Sequence, residues 1–167
     1  MPMRRLCLTL LCGLIVVPTA IAASTATGDG VLEFQKVDAT ATVWGQRGTI
    51  WGQMDKGRLI VTDPNPTDGF VNVSGADSTT PGLADNTTIY IGKNIHFRIS
   101  GKYTVRFVGK GIDFAAVGVG TAKVLGDVNS LDPGQYAIDD GDWQPVGWFT
   151  ARIAKFGVPP VTPAPTP

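Results

Sequence analysis

Trp44-Gly45-Gln46 and Trp51-Gly52-Gln53 repeat three residues at an interval of seven, each an indole followed two positions later by an amide. An aromatic face that stacks on a sugar ring, with an amide beside it to hydrogen-bond hydroxyls, is the chemistry such a pair offers. Whether the indoles meet depends on the backbone between them. If Arg47-Gly48 is a two-residue hairpin loop, Trp44 stands opposite Trp51; if the chain runs on as one strand, their odd separation sends them to opposite faces. The hairpin is the expectation, because ten unbroken strand residues with three internal glycines are unusual. A cross-strand indole pair beside Leu59 and Val61 reads as core. The alternative is a ligand platform of Trp44, Trp51, Gln46 and Gln53.

Other reactive residue types are sparse. His96 is the only histidine, and no G-x-S-x-G elbow accompanies it, so a catalytic triad has no support. On the expected hairpin 95–99/103–108, closed by Ser100-Gly101-Lys102, Ile99 faces Tyr103, Phe97 faces Val105 and Ile95 faces Phe107. His96 then faces Arg106 on the solvent side and, with Arg98, forms a candidate interaction patch. The pairs Gly92-Lys93, Gly101-Lys102 and Gly109-Lys110 lack phosphate-loop spacing and read as hairpin turns. Asp63 to Gly69 and Asp139 to Asp142 gather oxygen ligands but do not reproduce a calcium loop, so they read as acidic turns and no metal site is assigned. Glu33 is the only glutamate, which disfavours a glycoside hydrolase without removing an aspartate pair. No catalytic residue and no cofactor are expected.

The N-terminus explains the missing thiols. Arg4 and Arg5 precede an apolar run from Leu6 to Val17, then Pro18 and the small residues Ala20-Ile21-Ala22, the layout of an export signal over residues 1–23. The run falls short of the ~20 residues of a membrane span, so cleavage is expected over a retained N-terminal anchor, with no transmembrane span afterwards. Both cysteines, Cys7 and Cys12, fall inside the signal. The processed chain therefore has no disulfide framework and must be held by an apolar core. It carries 12 basic and 14 acidic residues, which gives nucleic acid no global attraction.

From Val31 onward, runs of Val, Ile, Thr and aromatics alternate with Gly, Asp and Asn clusters every ~8–10 residues, without sustained helical periodicity. Twelve strands are expected: 31–37, 40–46, 49–53, 58–62, 70–73, 87–91, 95–99, 103–108, 112–117, 121–125, 135–138 and 146–153. Asp55-Lys56-Gly57 suits a three-residue hairpin loop that sets Gln53 opposite Leu59 and Trp51 opposite Val61. Residues 63–85, rich in proline and small polar residues, are expected to be a long loop with at most one short strand. The prediction is a single all-β domain over residues 24–157, an antiparallel β-sandwich or partly closed β-meander barrel, with a β-solenoid as alternative. A Pro/Thr-rich tail follows at 158–167.

The segments Trp44 to Gly48, Gly92 to Arg98 and Gly109 to Gly120, with the aspartate-rich turn before Trp143, resemble a group of small exported actinobacterial proteins. The resemblance spans about Val31 to Trp143, implies a secreted or envelope setting, and carries no functional residue. Together these features point to a noncatalytic exported module that binds or organises something in the cell envelope, its partner a cell-wall glycan or an envelope protein.

Overall fold

A computed structural model describes residues 27–158; the expected signal and all but the first residue of the tail lie outside them. Seven antiparallel strands form the described region: β1 Gly30–Thr62, β2 Phe70–Pro81, β3 Thr87–Ser100, β4 Tyr103–Gly126, β5 Gln135–Ile138, β6 Gln144–Pro145 and β7 Arg152–Phe156. Most of the twelve expected strands lie on these paths, but many of the turns expected between them are bends. Residues 30–45 pair with 118–103, residues 47–62 pair with 119–104, and residues 49–62 pair with 100–87. The segment 103–119 thus lies between the two halves of β1.

A row of bends crosses the sheet. Lys36 and Asn94 adopt positive φ (50° and 56°), and so do Gly75 and Gly111 (78° and 60°), on strands whose registers place them side by side near the Lys56–Gly57 step. For β-branched residues such φ values are strongly disfavoured; glycine and asparagine accept them. Side-chain hydrogen bonds fasten the row: the Gly111 N–H donates to Asp38 Oδ1 at 2.8 Å, and the Lys36 N–H to Asp113 Oδ1 at 2.8 Å. At the opposite end, the chain crosses back near 45–47, 100–103 and 119–120.

Two layers result. One contains 87–92, 56–62, 103–110, 39–45, 120–126 and 152–156; the other contains 70–74, 95–100, 47–54, 112–119, 30–35 and 135–138. Phe107 of the first layer lies 5.2 Å from the Phe97 ring and 5.3 Å from the Phe114 ring of the second. Phe114 in turn stacks on Phe34 at 4.4 Å. Around them Leu32, Val43, Ile50, Met54, Leu59, Ile99, Val105 and Ile112 are fully buried, so the core lies between the layers. The architecture is an antiparallel sandwich whose sheet stays open at its edges; no parallel coil of a β-solenoid is present among the described residues.

Several expected turns are corrected. Asp55-Lys56-Gly57 is a bend inside β1, and the chain continues in the other layer rather than folding back beside itself. Gly92-Lys93 and Gly109-Lys110 belong to the same bend row, while Gly101-Lys102 joins β3 to β4 as a turn. β3 and β4 flank β1 instead of pairing, because that turn also changes layer, so Phe97 meets Phe107 across the core. The expected loop 63–85 contains the twelve-residue edge strand β2, bulged around Gly75. The expected strand 146–153 is irregular to Ala151, with β7 beginning at Arg152.

Candidate functional site

Alternation fixes what each layer shows to solvent. In the second layer Leu32 and Phe34, Ile50 and Met54, Ile95, Phe97 and Ile99, and Ile112, Phe114 and Ala116 turn inward. Their sequence neighbours therefore turn outward. Registers assemble the outward residues into rows: Ser74, His96, Gln53, Asp113 and, beside the bulge, Gln35; then Asn72, Arg98, Trp51, Ala115 and Glu33. Neighbouring members are separated by the interstrand spacing of about 4.7–4.9 Å.

A groove of about 550 Å³ crosses these rows, with Trp51 and Trp143 among its lining residues and Ala115 in the row beside Trp51. Glu33, Gln35, Gln53, His96 and Asp113 contribute polar side chains to the same groove. Trp143 is 44% exposed and Trp51 partly exposed. Small Ala115 between longer outward neighbours leaves room there, and the stacked Phe34 and Phe114 lie beneath. Asp113 is partly committed, since its Oδ1 accepts the Lys36 N–H. Such a groove offers apolar faces and hydrogen-bonding groups side by side.

The residues expected to act together are divided. Trp44 lies on the outer surface of the first layer beside Thr104 and Thr121, 43% exposed, whereas Trp51 lies on the second beside Arg98 and Ala115. The expected Arg47-Gly48 hairpin is absent: the chain changes layer there, so the indoles neither oppose each other nor enter the core. Gln46 is exposed at that crossing, and Gln53 alone of the two amides accompanies Trp51 in the groove. The patch of His96, Arg98 and Arg106 is split as well. His96 lies between Gln53 and Ser74, and Arg98 sits 5.8 Å over the Phe70 ring; Arg106 pairs with Thr42 and Ile60 in the other layer.

No family model, curated protein or solved structure matches this chain. The site must therefore be read from its own geometry. Its acidic turns serve the backbone: Asp139 Oδ1 accepts the Val31 N–H at 2.7 Å, Asp68 Oδ1 the Lys102 N–H at 3.2 Å, and Asp63 Oδ1 the Asn65 N–H at 3.1 Å. No group of three metal-ligating side chains occurs among the described residues. That Trp143 lines the groove is not readable from sequence, because Pro145 and Gly147 obscure the alternation around it. Gln35 carried the signal of alternation with Leu32 and Phe34, but its neighbours become visible only once strand order is known.

Proposed function

We propose that the protein is a noncatalytic exported module that binds glycan in the cell envelope through the groove flanked by Trp51 and Trp143. The supporting observation is the presence in one open groove of two indoles, two amides and two carboxylates, all but Trp143 on the strands of one sheet face. Indole faces stack against the C–H faces of sugar rings, and Gln53 and Glu33 hydrogen-bond hydroxyls around them, with Gln35, whose Oε1 accepts from Gln135 at 2.7 Å, offering its amide N–H. The sheet face holds Trp51, Gln53, Glu33 and Asp113 at fixed spacing, so little ordering cost attends their part in binding. Asp113 is tied to the Lys36 amide, which favours a structural and binding role over acid–base work. The basic N-terminus and apolar run supply the exported setting.

Retention on insoluble cell-wall polysaccharide tests the reading. Trp51→Ala and Trp143→Ala each weaken retention about tenfold or more, equivalent to about 1.4 kcal/mol. Trp44→Ala retains wild-type binding. Retention lost equally in all three variants, or lost only with Trp44, contradicts the proposal.

A further inference from the structure

The bend row carries a second surface. Lys56 pairs in register with Lys93 on one side and Lys110 on the other, setting three lysines across adjacent strands. All three are exposed. Like charges placed directly opposite one another destabilise a sheet. Among the described residues the only ion pair is Arg47 with Asp29, so none of these lysines is within ion-pair distance of a carboxylate. Asp38 accepts from the Gly111 N–H and Ser130 Oγ, and Asp127 from the Asn129 N–H and side-chain amide while also facing Lys110, which leaves Lys56 and Lys93 as the less compensated pair. Asp55 is turned toward Gly111.

A cleft of about 410 Å³ opens at this row, lined by Lys56, Arg58 and Lys93 against one carboxylate, Asp77, with Gly57 and Gly92 in its lining. The glycines let the strand backbones beneath it approach closely. A Cβ at Gly92 would lie 2.6 Å from the Asp77 backbone nitrogen, and one at Gly57 would strike the Val108 carbonyl. The cleft lies beyond the bend row from the groove: Lys93 is three residues from His96 and Lys56 three from Gln53, on strands that fold over between them.

We propose that this cleft binds the charged substituents of an anionic polysaccharide, one carrying carboxylate or phosphate groups along its length. The local excess of cations supplies the charge complementarity. The inference goes beyond the groove reading, because it assigns a second contact and the sign of the ligand's charge.

Calorimetric titration of the full chain with unmodified, carboxymethylated and phosphorylated forms of one cello-oligosaccharide tests it. A charged form should bind at least tenfold tighter than the unmodified one, the preferred form distinguishing carboxylate from phosphate recognition. The triple variant Lys56→Gln, Arg58→Gln, Lys93→Gln should lose that advantage, and Asp77→Asn should increase it. An equal charge change at Lys102, Lys123 and Lys155 should alter affinity less than twofold. Equal losses in both triple variants, no preference for charge, or no binding of any form overturns the inference. If charged-ligand binding requires the cleft but survives Trp51→Ala and Trp143→Ala, the cleft stands and the groove reading falls. If the neutral oligosaccharide binds through the tryptophans and charge adds nothing, the groove stands and the cleft falls.

Discussion

Tyr103 shows how closely the interior is specified at single residues. Its ring packs against Gly45, where an added Cβ would lie 2.5 Å from Cζ, and its buried hydroxyl has no hydrogen-bond partner among the described residues. Gly45→Ala should destabilise the protein by about 1–3 kcal/mol through overpacking, read from urea midpoints at constant slope. Burial also pushes the Tyr103 pKa above its ordinary value. The sign follows: below pH ~10 the phenol is neutral in both states, and above it the unfolded chain loses the proton first, so stability falls by up to about 1.4 kcal/mol per pH unit. Tyr103→Phe should be about 1 kcal/mol more stable at neutral pH and should lack this tyrosine's share of the alkaline loss. Paired urea titrations at pH 7 and above 10 measure both effects. That Tyr103 would be buried was legible from its alternation with Val105 and Phe107. That its ring would press on Gly45 was not, because strand order decides the contact.

At the scale of elements, the decisive features are the bends. Asp38 holds one of them, accepting the Gly111 N–H at 2.8 Å and Ser130 Oγ at 3.0 Å, while its backbone carbonyl accepts the Asp127 N–H at 2.8 Å. Asp38→Ala strands the partly buried amide and should cost about 1–3 kcal/mol, whereas Asp38→Asn, which keeps an acceptor, should recover most of it. Urea unfolding of the two variants makes the comparison. These bends explain which elements could be read in advance. Alternation located the paths of 31–37, 95–99 and 112–117, because a half-buried strand shows its period locally. The joints are not legible locally, because Asp-Lys-Gly and Gly-Lys steps serve equally for a hairpin turn and for a bulge that folds a strand over. Only pairing with a third strand separates the two, and that information is nonlocal.

Across the whole molecule, one core joins both layers. Phe107 bridges them through Phe97 and Phe114, so Phe107→Ala should cost about 3–5 kcal/mol, with circular dichroism and tryptophan fluorescence unfolding together. The all-β antiparallel class was legible from strand spacing and composition. The candidate groove was only half legible: Trp51 and Gln53 lie together in it, but Trp44 and Arg106 belong to the opposite surface and Trp143 has no readable parity. Sequence parity cannot follow a chain that changes layer between residues 45 and 47. The most direct test of glycan binding by one face is an NMR titration of the four indole N–H resonances with a soluble cell-wall oligosaccharide. The Trp51 and Trp143 signals should shift together along one saturation curve while those of Trp44 and Trp148 stay in place; unmoved Trp51 and Trp143 signals, or a shift centred on Trp44, would contradict it.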